Sequence, residues 1–246
     1  MNLRRGRRWI TGMFFAAGVN CSALAAPPAA KLQLPGANAS GLPWSIVLLM
    51  TLLTLLPALL LSMTPLVRLL VVFHFLRQAL GTQSAPTNQT LIGLSLVLTY
   101  FLMQPVLGAV YQQAIVPLEQ NRIDTWEALD RGSEPVRRFM LKFVREKDAA
   151  LFVEIAKLPP PRSPEDLPMR VVAPAYVLSE LKVGFQIGAV LFLPFLVIDL
   201  VVASITTSVG MLQLPPVMIS TPIKILLFVM VDGWNLLVGS LMKSFS

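Results

Sequence analysis

Long apolar stretches interrupted by single charges dominate this chain, and their lengths predict helices rather than strands. Residues 42–63 are long enough to cross a bilayer, with Pro57 as a kink. Residues 65–80 keep a helical pattern but carry Arg68, His74 and Arg77, so lipid is a poor neighbour for them. A break over residues 81–88 follows. Residues 89–116 are again apolar and longer than a crossing needs, which implies tilt, a bend at Pro105, or extension past the hydrocarbon. Residues 174–234 form the longest apolar run, yet they contain Glu180, Lys182, Asp199, Lys224 and Asp232. A charge at the centre of a membrane helix costs roughly 2.5 to 3.5 kcal/mol, so these five are expected to face protein or water.

Between the apolar segments lies a different material. Residues 118–170 hold 20 of the 33 charged residues, ten of each sign, and read as a water-facing helical region. Ser133, Glu134 and Pro135 predict a helix start there, with Val136, Phe139, Met140, Phe143 and Val144 on one face. Asp148 is expected to cap a shorter helix through Lys157, and the prolines at 159–161 and 164 to end it in an extended linker back to Pro174. The predicted organisation is therefore 1–25, 26–41, 42–117, 118–173 and 174–246. These are a leader, a flexible lead, apolar helices, a charged insertion and a C-terminal helical hairpin. The fold class is all-α.

Charge changes the picture only at the N-terminus. The formal net charge of +7 suggests a nucleic-acid partner until Arg4, Arg5, Arg7 and Arg8 are seen to precede an apolar stretch over residues 9–19 and Ala23-Leu24-Ala25. That is the pattern of a secretory signal peptide, cleaved between Ala25 and Ala26. Without those four arginines, 16 basic residues face 13 acidic ones, and no basic patch argues for nucleic acid. Cys21, the single cysteine, would leave with the leader. No HExxH, phosphate loop or metal-ligand spacing occurs, so neither an enzyme nor a metal or other cofactor is expected. Cleavage of the leader places the mature N-terminus outside the cytoplasm, Arg68 and Arg77 on the cytoplasmic side, and the charged insertion in the periplasm.

Within the apolar run, Glu180 and Lys182 stand two apart on different helix faces and cannot neutralise one another. Asp199 and Lys224 lie equally far from the turn at residues 210–216, each roughly 19 Å away at about 1.5 Å per residue, so a helical hairpin could pair them. Gly184 and Gly188 form a GxxxG spacing that lets helix backbones approach closely, within one subunit or between two.

Several motifs carry a resemblance. Residues 174–182 read Pro-Ala-Tyr-Val-Leu-Ser-Glu-Leu-Lys, residues 193–200 Leu-Pro-Phe-Leu-Val-Ile-Asp-Leu, and residues 214–220 Leu-Pro-Pro-Val-Met-Ile-Ser. With Asp232-Gly233-Trp234, residues 76–83 and Asn88-Gln89, they resemble the FliP family of the flagellar type III export gate, over most of residues 42–245. The resemblance implies a ring of several copies, a pentamer, together with FliQ, FliR and other flagellar export proteins. That ring would be multi-pass in the inner membrane at the flagellar basal body, with a periplasmic portion. It would pass unfolded flagellar subunits across the membrane. In this family the 210–216 turn is methionine-rich and resembles a gasket; here Met211, Leu212 and Gln213 occupy it, and Met211 and Leu212 are the expected seal. The intramembrane charges are expected to find partners when neighbouring copies close the ring. Two other readings stand beside this one: a virulence secretion gate of the same kind, and an ion or solute transporter using Asp199 and Lys224.

Overall fold

In a computed structural model, the structure describes residues 44–82, 85–159, 161, 163–210 and 215–245. The chain divides into two compact units, residues 1–48 and 49–246. Apart from the first residues of α1, every element below belongs to the second. They are all helices: α1 (Trp44–Ser62), α2 (Leu66–Ala79), α3 (Asn88–Val110), α4 (Val116–Glu119), α5 (Thr125–Phe143), α6 (Glu146–Ile155), α7 (Met169–Ser208), α8 (Pro216–Met230) and α9 (Gly233–Lys243). A π-turn over Tyr111–Ile115 joins α3 to α4, and a short 3-10 turn spans Pro164–Asp166. No strand occurs among the described residues.

Local chemistry sets the helix ends. The Thr87 side chain accepts a hydrogen bond from the Thr90 backbone N–H at 3.3 Å and caps α3. Pro216 opens α8, where its missing N–H has no helical partner to lose. Gly210 stands just past the end of α7 with φ at 78°, a left-handed conformation that glycine reaches without a Cβ clash.

The core is built around α2. Leu69, Val72, Phe73, Leu76 and Ala79 recur at helical spacing and are fully buried. Against them pack Leu91 and Leu98 of α3, Phe195 of α7, Phe228 of α8, and Leu237 and Leu241 of α9. Each such Leu or Phe contributes about 1.5 to 3 kcal/mol when fully removed from water. A second cluster joins Met140 of α5 and Val153 of α6 to Leu167 and to Val171, Val172 and Tyr176 of α7. By contrast, α1 buries none of its residues.

Three described segments have the length and composition of membrane spans: α1, the continuous run Asn88–Glu119, and α7. The bent pair of α8 and α9 makes a fourth if its 66° break lies within one span. The protein is membrane-embedded by this pattern.

Three local expectations are corrected. α5 begins at Thr125 rather than at Ser133, and Pro135 sits inside it. Ala128, Pro135 and Met140 are buried along the helix, so packing outweighs the proline's lost hydrogen bond. α7 begins at Met169, and Pro174 likewise lies within it, because Val171, Val172, Ala175 and Tyr176 are buried there. At Asp232, where φ is 53°, the chain bends by 66° between α8 and α9. Finally, Asp148 does not cap α6; Arg145 holds the cap position and Asp148 turns into the protein.

Candidate functional site: ion pairs within the apolar helices

Among the described residues the deepest charge is Glu180. It stands on α7 facing α2, fully buried, and receives two hydrogen bonds from Arg68: Nη2 to Oε1 at 2.5 Å and Nε to Oε2 at 2.9 Å. Arg68 is itself only 3% exposed. Its Nη1 donates to the Ser244 carbonyl at 3.2 Å and to the Ser244 hydroxyl at 3.0 Å. The guanidinium lies 3.8 Å from the centre of the Phe245 ring, and Phe143 is 5.6 Å away on the same group. A buried charge pair is tolerable only when the remaining donors are also satisfied, and here α2, α5, α7 and the residues after α9 together satisfy them.

Arg68 is therefore a buried packing residue rather than a free surface charge. It shares the α2 stripe of Leu69, Val72 and Leu76 and points into the core. Arg77 instead reaches Asn88 and lies 3.2 Å from the His74 ring, whose other nitrogen meets Gln78 at 3.1 Å.

Two residues further along α7, Lys182 faces away from Glu180 and pairs with Asp148 of α6. Asp148 also accepts from the Ser179 hydroxyl at 2.9 Å, and that oxygen accepts the Arg145 backbone N–H at 3.0 Å. Burial pushes the Asp148 carboxyl upward, but the Lys182 ammonium and the Ser179 hydroxyl outweigh it and hold the group below the usual carboxylate range. Glu180 and Lys182 therefore do point to different faces, and each has its partner inside the same subunit.

The hairpin of α7 and α8 holds the third pair. Lys224 Nζ lies 2.5 Å from Asp199 Oδ2, and Ser220, one turn before Lys224, donates to Asp199 Oδ1 at 2.7 Å. Lys224 is 3% exposed while Asp199 is 33% exposed, so this pair has one open side. Its neighbour Thr221 is pressed by the loop after α2: a Cβ on Gly81, where φ is 74°, would come within 2.7 Å of the Thr221 hydroxyl.

Gly184 and Gly188 pack against α2 of their own subunit. A Cβ would stand 3.1 Å from Val71 at Gly184 and 2.5 Å from the Phe75 ring at Gly188. Asp232 is exposed and accepts from Asn235 Nδ2 at 3.1 Å, with no ion pair among the described residues. Ala25, Ala26, Met211, Leu212 and Gln213 lie outside the described residues.

The arrangement corrects the expectation that neighbouring copies must supply partners for the intramembrane charges. Glu180, Lys182, Asp199 and Lys224 are all paired within one chain. Sequence reading missed Arg68, Asp148, Ser179 and Ser220. Arg68 and Ser220 had a signal, one on the apolar stripe of α2 and the other one turn from Lys224; Asp148 and Ser179 had none. These pairs join helices; outside them the surface is largely apolar, as at Val190, Leu193, Val197 and Leu200 of α7.

An all-helical membrane protein whose apolar helices are riveted by internal charge pairs defines the class. The sequence matches the FliP family profile over residues 49–241, and the chain belongs to that family. It is 51% identical over 227 residues to the flagellar biosynthetic protein FliP of Pectobacterium carotovorum subsp. carotovorum, covering 89% of this chain and 88% of that one. To the protein of the same name from Bacillus subtilis (strain 168) it is 50% identical over 200 residues, 81% of this chain and 90% of the relative. With that of Caulobacter vibrioides it shares 48% over 200 residues, 81% and 75% of the two chains.

Proposed function

We propose that this chain is the pore-forming structural subunit of a flagellar type III export gate, passing unfolded flagellar subunits across the bacterial inner membrane. The observation that carries the reading is family membership across residues 49–241, with relatives named as flagellar biosynthetic proteins. Copies assemble in a ring, a pentamer, with FliQ and FliR, and other flagellar export proteins dock on it. No catalytic role is assigned: the subunit works as a conduit.

The physical features support a division of labour. Because the buried charges are satisfied within each copy, ring contacts fall to the exposed apolar faces of α7 and α8. The hairpin between those helices carries Met211, Leu212 and Gln213 at its turn, with flexible side chains suited to closing around nothing and yielding to a passing chain. The charged segment from α5 to α6 faces the periplasm, and the leader over residues 1–25 directs that orientation.

Two measurements test this. Replacing both Met211 and Leu212 by glycine should raise ion conductance across the membrane of cells expressing the gate, and unchanged conductance removes the turn from the seal. A deletion strain should be non-motile; a motile strain would assign the chain to a virulence gate instead.

A further inference from the structure

Two charges set on apolar surface, Arg77 of α2 and Asp232 at the start of α9, meet no counter-charge among the described residues. Arg77 bonds only the Asn88 side chain and the His74 ring. It lines a groove of about 680 Å³ walled by Leu70, Val71 and Phe75 of α2, Leu91 and Ile92 of α3 and Phe185 of α7, with no carboxylate in its lining. Neither α2 nor α3 contains an acid, and the two acids of α7 are held by Arg68 and Lys224. Asp232 is exposed, accepts from Asn235, and stands between the exposed Val229, Met230, Val231 and Leu236. A charge on such a surface is costly in an apolar contact unless it meets its opposite there.

The two charges occupy opposite flanks of the subunit. His74 and Gln78, on the groove side, lie across α2 from Leu69, Phe73 and Leu76, the stripe that packs with Leu237 and Leu241 of α9. They also share a height. Gly188 of α7 rests on Phe75, and two turns further along α7 Phe195 meets Phe228 of α8, with 6.4 Å between ring centres. Because α8 runs back antiparallel to α7, Asp232, one turn past Phe228, returns to within about 5 Å of the height of Arg77 at 1.5 Å per residue. Rotation about an axis along these helices carries a group to the next copy without changing its height. Complementary faces on opposite flanks of one copy are what a head-to-tail ring requires.

We propose that the elbow between α8 and α9 of one copy seats in the α2 groove of the next, its Asp232 carboxylate on Arg77 and its Val231 and Leu236 against Phe75, Ile92 and Phe185. An apolar groove holding one cation takes an apolar elbow holding one anion. This contact rests on the ring proposed above and names the faces that close it.

The test uses the full chain with Cys21→Ser, expressed in the membranes of its own host. Gln78→Cys together with Asn235→Cys should give a ladder of disulfide-linked multimers on mild oxidation, and neither cysteine alone should do so. Within one copy the two positions lie on opposite sides of α2, beyond the roughly 7 Å limit between Cα atoms for a disulfide, so the bond joins two copies. Asp232→Asn, whose side chain tolerates the left-handed backbone, and Arg77→Gln should each cut the cross-linked yield at least about tenfold, and both together no further than either alone. If multimers persist on native gels while the paired cysteines stay unlinked, or while the charge variants cross-link at full yield or lose yield independently, the contact is overturned and the ring stands. A chain that runs as a single copy on native gels overturns both. A cross-link from Gln78→Cys to a different polypeptide overturns the contact by giving the groove to another subunit.

Discussion

Two charge pairs, both between α7 and a neighbouring apolar helix, are built differently. Arg68 and Glu180 are sealed: two hydrogen bonds join them, Ser244 takes the spare donor, and Phe143 and Phe245 cover the guanidinium. Asp199 and Lys224 meet through a single hydrogen bond with Ser220 as helper, and Asp199 keeps an open side. The first sits beside buried apolar residues, Leu69, Val72 and Leu76 of α2 and Val172, Ala175 and Tyr176 of α7. The second sits in a hairpin whose surrounding surface is mostly exposed. The contrast marks the α2 and α7 contact as the more tightly held of the two and the α7 and α8 hairpin as the more open one. In both, the charges join two helices.

If that contrast is right, breaking the sealed pair is the costliest change. Glu180→Ala leaves Arg68 buried without its counter-charge and should destabilise the protein by about 3 to 5 kcal/mol, seen as loss of accumulated protein in membranes. Lys224→Ala should cost less, about 2 kcal/mol, since Asp199 retains Ser220 and contact with solvent. Adding Asp199→Ala should recover part of that loss in assembly assays, whereas equal failure of single and double variants would remove the pairing from the account. Gly188→Ala drives a methyl into Phe75 and should lower the melting point by an amount equivalent to about 1 to 3 kcal/mol. Gly108→Ala, which meets nothing within 4 Å, is the matched control with no penalty.

The third pair responds to pH. Asp148 titrates below the usual carboxylate range in the folded protein, so its contribution is complete above its unfolded value and is lost as pH falls through the folded one. Protection of α6 amides from hydrogen exchange should hold at about pH 5 and decline below about pH 4, and Asp148→Asn should remove that decline. The smallest effect is expected at the exposed pair of Glu127 and Arg131: Glu127→Gln should change stability by less than about 0.5 kcal/mol.

The helical class and the membrane-length segments were legible because long apolar runs allow few other solutions. The Asp199 and Lys224 encounter was legible for a geometric reason: both lie at the same distance from one turn. Arg68 was not, because its partner is 112 positions away and no local rule links them. Ser133 and Pro174 misled in the opposite direction, since their capping and breaking signals are local while burial along α5 and α7 decides the helix starts. Asp148 resembled a cap by sequence, yet Lys182 and Ser179 supply a stronger partner from another helix.

The most direct test is a double-mutant cycle on Arg68 and Glu180, using Arg68→Met and Glu180→Leu and thermal unfolding of the purified protein in detergent. A self-sufficient buried pair predicts that the double variant is far more stable than the two single losses added together, with a coupling of at least about 2 kcal/mol. Additive losses would mean that the two residues do not depend on one another, and that the charges inside these helices are matched by something other than this chain.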